Sequence, residues 1–157
     1  LSKSTVRILL VDDFEAWRRF VSSTLRQQQE FEILCEVSDG LVAVEKAVEL
    51  RPDLILMDVG LPMLNGIEAA RQILERLPQS HILFLSENRS WDIAQAALRT
   101  GAGGYLLKVD AGRELVTAVE AVLQGKRFVS ASLVGRDASE PTNGKRPPTL
   151  EQSSSKR

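Results

Sequence analysis

Two hydrophobic patterns alternate along residues 5–131. Val6-Arg7-Ile8-Leu9-Leu10-Val11 is a short apolar run ending in Asp12-Asp13, the pattern of a buried strand. Residues 14–28 carry Phe14, Trp17, Val21 and Leu25 at helical spacing, which predicts an amphipathic helix. Residues 31–37 read as a second strand. Asp39-Gly40 opens a helix with Leu41, Val44, Val48 and Leu50. Asp53-Leu54-Ile55-Leu56-Met57-Asp58 is a third strand and the most apolar. Asn65 is placed to cap a helix over residues 66–77. His81-Ile82-Leu83-Phe84-Leu85-Ser86 reads as a fourth strand. Residues 91–100 follow as a helix, with Gly101 suited to its left-handed exit. Tyr105-Leu106-Leu107-Lys108 is a fifth strand, and Asp110 is placed to cap a last helix ending at Gly125.

Five successive strand-helix units predict an α/β fold. Strands this apolar imply a five-stranded parallel sheet, doubly wound, with helices on both faces. Right-handed crossovers leave few topologies. In such open sheets a site forms outside the carboxyl ends of the strands. The informative polar residues fall at that edge: Asp12 and Asp13 after strand one, Asp58 after strand three, Ser86 after strand four, and Lys108 after strand five.

Taken singly, each has a bland reading. An Asp-Asp pair after a strand is commonly a solvated turn or a helix cap, Asp58 before Val-Gly-Leu-Pro fits turn chemistry, and a strand-end lysine is commonly just solvated. Five such groups at one edge of five units point to a site. Three carboxylates gathered there repel one another; two unit charges 4 Å apart cost about 4 kcal/mol at an effective dielectric of ~20. A hard divalent cation relieves that conflict, and oxygen donors without a His or Cys cluster favour Mg²⁺. An aspartate beside such an ion is a nucleophile that can form an acyl phosphate. This assigns Asp58 as phosphoacceptor. Asp13, helped by Asp12, is the metal holder, and a main-chain carbonyl near Gly60 is an extra ligand. Lys108 and Ser86 hold the remaining phosphoryl oxygens.

Composition narrows the classes. The net charge of −1 argues against nucleic-acid binding by bulk charge. One cysteine, Cys35, rules out an internal disulfide, and one histidine, His81, rules out a multi-histidine metal centre. Cys35 is expected to be a small buried hydrophobe and His81 a structural residue. Trp17 is expected in the core or half-buried, and Trp91 packed over its helix. The stripe Leu115, Val116, Val119, Val122 and Leu123 on the last helix is mainly core, with an edge that can add to a homodimer. No apolar run approaches the ~20 residues of a membrane span, and no secretion signal opens the sequence. The expectation is a cytoplasmic protein with no membrane partner.

The motifs resemble one family. Leu9-Leu10-Val11-Asp12-Asp13, Leu54-Ile55-Leu56-Met57-Asp58-Val59-Gly60-Leu61-Pro62 with Gly66, Phe84-Leu85-Ser86, and Gly101-Ala102-Gly103-Gly104-Tyr105-Leu106-Leu107-Lys108 are similar to the response-regulator receiver domain of two-component signalling. The resemblance implies a CheY-like (flavodoxin-like) fold over residues 5–131. Gly103 to Ser132 looks most like the subfamily whose receiver precedes a helix-turn-helix output domain. The resemblance further implies that Asp58 accepts phosphate from a sensor histidine kinase, that Asp12 and Asp13 bind Mg²⁺, and that Ser86 and Lys108 contact the phosphoryl group. Tyr105 is implied as the aromatic switch residue that moves inward as Ser86 shifts. Val109 stands where the family often has Pro, leaving that loop's geometry open. Gly60 is smaller than the usual side chain there, which suggests readier water access and a shorter phosphate lifetime.

Residues 132–157 are poor in large apolar groups and contain Pro141, Pro147, Pro148 and Ser153-Ser154-Ser155. They read as a flexible tail or truncated linker. Contact with DNA is expected only through an output domain absent from this chain. The competing readings are a Mg²⁺-dependent aspartyl phosphatase or phosphotransferase, a flavin- or nucleotide-binding module, and a receiver-shaped interaction module that takes no phosphate. The acidic, glycine-free turn Asp12-Asp13-Phe14-Glu15 disfavours the nucleotide reading.

Overall fold

The computed structural model describes residues 4–133. The sequence-read tail therefore lies outside the described residues from 134 onward. The described elements are β1 (Val6–Val11), α1 (Glu15–Leu25), β2 (Phe31–Val37), α2 (Gly40–Leu50), β3 (Leu54–Met57), α3 (Gly66–Arg76), β4 (His81–Ser86), α4 (Trp91–Leu98), β5 (Gly104–Leu107), a 3-10 turn (Lys108–Asp110), α5 (Ala111–Leu123) and β6 (Phe128–Val129). The sheet order is β2-β1-β3-β4-β5-β6, and every pairing is parallel.

The strands are apolar on both sides because helices cover both faces. Side chains alternate along each strand. Leu9, Val11, Ile55, Met57, Ile82, Phe84, Tyr105 and Leu107 pack under α2, α3 and α4. Ile8, Leu10, Leu54, Leu56, Leu83, Leu85 and Leu106 pack under α1 and α5. Of the last-helix stripe, Leu115, Val119 and Val122 are buried, while Val116 and Leu123 sit at its margin. Trp17 and Trp91 are each half-buried against a core. Cys35 is half-buried, less enclosed than a core hydrophobe, because β2 is the edge strand.

The caps follow the sequence in part. Asn65 accepts from the Glu68 amide at 2.9 Å, and Gly101 leaves α4 at φ +101°. Asp110 makes no side-chain cap to α5. Its carboxylate turns back across the fold to the residues after β6. Ser130 donates its hydroxyl to Asp110 Oδ2, the Ser132 amide donates to Oδ2 at 3.1 Å, and the Ser132 hydroxyl donates to Oδ1 at 2.8 Å. β6 is a sixth strand beyond the five expected; Phe128 and Val129 pair with Gly104 and Tyr105. The chain then becomes helical at 131–133, and Leu133 is buried in the core under α2–α4.

Candidate functional site

Sheet register gathers the site. Val11 pairs with Met57, Met57 with Phe84, and Ser86 with Leu107. Asp12, Asp58, Ser86 and Lys108 therefore leave their strands along one edge. The Asp58 amide donates to the Val11 carbonyl at 3.0 Å and the Asp12 amide to the Val37 carbonyl at 3.0 Å, which carries the ladder one residue past the strand ends. The chain after Asp58 turns sharply back. The Gly66 amide donates to the Val59 carbonyl at 2.7 Å, and a Cβ on Gly66 would stand 2.0 Å from the Asp58 carbonyl oxygen. Glycine at 66 is thus a packing requirement of the loop that presents Asp58.

The resulting cleft is lined by Asp12, Asp13, Phe14, Asp58, Val59, Gly60, Ser86, Glu87, Asn88 and Lys108. Asp12, Asp13 and Asp58 each offer a carboxylate oxygen within 4.8 Å of the others. Asp12 is buried, Asp58 half-buried and Asp13 exposed. Asp12 Oδ1 accepts from the Phe14 amide at 2.9 Å, the turn role a bland reading assigns to it. Its other oxygen behaves differently. Asp12 Oδ2 is buried and forms a close ion pair with Lys108 Nζ, 2.7 Å away. Lys108 Nζ is 3.9 Å from Asp58 Oδ1, so one ammonium pairs with two of the three carboxylates.

Burial is the main cause that pushes the Asp58 carboxyl up to about 6. Asp12 and Asp13 raise it further, and Lys108 opposes them. Three carboxylates offering oxygens within 4.8 Å of one another, an oxygen-only set with one ammonium beside Asp12 and Asp58, fit a hard divalent cation. The Ser86 hydroxyl accepts from the Asn88 amide at 2.9 Å. Gly60 is exposed, and nothing lies within 4 Å of where its Cβ would stand. Tyr105 is fully buried and donates its hydroxyl to the Asn88 carbonyl at 2.8 Å, so its ring stands inward. Val109 is 65% exposed on the 3-10 turn.

The structure brings all the sequence-selected groups to one edge. Sequence reading missed Glu87 and Asn88, whose signal was their place directly after Ser86 at a strand end. It also missed Trp17, whose ring lies 5.1 Å from Lys108 Nζ; helical spacing marked it only as apolar.

The response regulator receiver domain model matches residues 8–120. The chain is 36% identical over 129 residues to the transcriptional regulatory protein DegU of Brevibacillus brevis, covering 82% of this chain and 55% of DegU. It is 35% identical over 131 residues to the transcriptional regulatory protein LiaR of Bacillus subtilis, covering 83% and 62%. The chain thus spans little more than half the length of these curated relatives. Among solved structures, a LuxR-family two-component response regulator from Aurantimonas sp. SI85-9A1 superposes with a TM-score of 0.81 at 33% identity, covering 86% of this chain and 96% of that one. By sequence and by fold, this chain belongs to the response regulator receiver domain family of two-component signalling.

Proposed function

We propose that the chain accepts a phosphoryl group on an Asp58 carboxylate oxygen from a sensor histidine kinase and thereby switches a protein-protein surface that controls transcription. The observation that carries this reading is the trio Asp12, Asp13 and Asp58, whose carboxylate oxygens lie within 4.8 Å of one another with Lys108 Nζ 2.7 Å from Asp12 Oδ2. Asp12, Asp13, Asp58 and the Gly60 carbonyl would hold Mg²⁺, which supplies charge neutralisation for the phosphoryl oxygens. Asp58 attacks phosphorus, and the bond from phosphorus to the donor breaks with its electron pair leaving on the donor. Lys108 balances charge on one oxygen of the transferred group, and Ser86 donates a hydrogen bond to another. Ser86 and Tyr105 meet through Asn88, whose amide and carbonyl they bond, so a pull on Ser86 is felt at Tyr105.

In this reading the chain catalyses only its own phosphorylation and dephosphorylation. DNA contact is made through an output domain, a homodimer is one form of the switched surface, and the location is cytoplasmic. Among the described residues no helix is long and apolar enough to cross a membrane. Intact mass after incubation with acetyl phosphate and Mg²⁺ tests the assignment. One added phosphoryl group on the native chain and none on Asp58→Asn is expected; labelling that persists in Asp58→Asn overturns the site.

A further inference from the structure

Lys108 is held on three sides. Asp12 Oδ2 lies 2.7 Å from its Nζ, Asp58 Oδ1 lies 3.9 Å away, and the Trp17 ring centroid lies 5.1 Å away. That last distance is within the range at which an ammonium is attracted to the face of an indole. The lysine side chain is only 10% exposed. Trp17 itself carries an anomaly. Its Nε1 is buried and has no hydrogen-bond partner among the described residues, a cost that a purely apolar side chain would avoid. The ring also packs against Phe20, with centroids 5.1 Å apart at an interplanar angle of 39°. An indole with an orphaned N–H and its face toward the site's single lysine is explained better by what the face does than by what the ring fills.

Building on the phosphoryl-acceptor reading, we propose that Trp17 is a positioning residue for Lys108: its π face keeps the ammonium in the cleft while the lysine exchanges Asp12 for a phosphoryl oxygen. The exchange follows from the geometry. The oxygen closest to Lys108 belongs to Asp12, one of the three carboxylates that would hold a divalent cation. Once that oxygen is engaged, the lysine's strongest contact weakens, and a long side chain would otherwise swing toward water. Attraction to a ring face is broad in direction, so the ammonium can slide toward Asp58 without losing it. A carboxylate in the place of Trp17 would hold the lysine too firmly for transfer, and an aliphatic residue would not hold it.

The test uses the full chain with acetyl phosphate and Mg²⁺, comparing native protein, Trp17→Phe and Trp17→Leu. Trp17→Leu is expected to lower the plateau phosphorylation rate by about five- to tenfold, with little change in half-saturating donor, while Trp17→Phe stays within about threefold. A native-like rate in Trp17→Leu, or an equal loss in both variants, overturns the proposal. A second measurement holds if Trp17→Leu fails to fold. In a Trp91→Phe background, Trp17 is the only indole, and its emission is expected to change when Mg²⁺ alone is added. Lys108→Met should abolish that change. A change that survives Lys108→Met, or no change at all, also overturns it. If the native chain takes no phosphoryl group, the acceptor reading fails, whereas the emission result still judges the contact between Trp17 and Lys108.

Discussion

Asp58 shows how one carboxylate carries opposing demands. Burial, then Asp12 and Asp13, raise its pKa from 3.8 to about 6 against the pull of Lys108. A native carboxyl that holds its proton more tightly than the unfolded chain favours folding at low pH. That contribution is complete below about 3.8 and gone once the pH passes about 6. Over that window the metal-free chain is expected to lose up to about 3 kcal/mol through this group. Asp58→Asn removes the titration. Its urea midpoint should exceed the native one at pH 7, by about 1–3 kcal/mol in stability, and the two should converge near pH 4. Coincident midpoints at pH 7 would show that the carboxylates do not strain one another. The glycines on either side of the loop divide the same way. Gly66→Ala places a Cβ against the Asp58 backbone and is expected to cost at least about 2 kcal/mol. Gly60→Arg meets open space and should fold normally while lengthening the life of the aspartyl phosphate. An unchanged or faster decay, followed by intact mass, would contradict the idea that the small residue admits water.

At the scale of elements, the junction of α5 and β6 is where sequence reading and structure part. The strand-helix alternation was readable because apolar runs and helical stripes are local signals. β6 is two residues long, too short to show a period. The role of Asp110 depends on it: only with Phe128 paired to Gly104 do Ser130 and Ser132 reach a carboxylate some twenty residues earlier. Local pattern therefore assigned Asp110 to a helix cap it does not make. Burial alone would raise the pKa of Asp110, but the donors from Ser130 and Ser132, with Arg113 assisting, outweigh it and hold the carboxyl below its usual range. Here the stabilisation is present above the ordinary carboxylate pKa and is lost as pH falls through the native value. Asp110→Ala leaves buried donors unpaired and is expected to destabilise the chain by about 2–4 kcal/mol. Amide exchange at residues 130–133 should rise first, since they lose their anchor. Exchange that rises uniformly, or leaves 130–133 protected, would mean that β6 and Leu133 hold the segment without the carboxylate.

For the whole molecule, parallel register explains why so much of the site could be read in advance. Once five strands run the same way, residues far apart in sequence are forced to one edge, and Asp12, Asp58, Ser86 and Lys108 need no further information to meet. What the pattern could not supply was contact made by side-chain direction: the Trp17 face under Lys108, the inward Tyr105 and the ion pair of Asp12 with Lys108. Those contacts couple the acid cluster to overall stability. Asp110 weakens the fold as pH falls and Asp58 weakens it as pH rises toward 6, so the metal-free chain is expected to be most stable on the acid side of neutrality. A cation bound to the native trio alone adds stability that grows with its concentration relative to its dissociation constant. A proton on Asp58 competes with it. The rise in melting temperature on adding Mg²⁺ should therefore be largest at pH 7 to 8 and fade below about pH 5, and Asp13→Asn should reduce it throughout. A Mg²⁺ effect of equal size at pH 5 and pH 8 would place the ion elsewhere, because a site that includes Asp58 cannot ignore that proton.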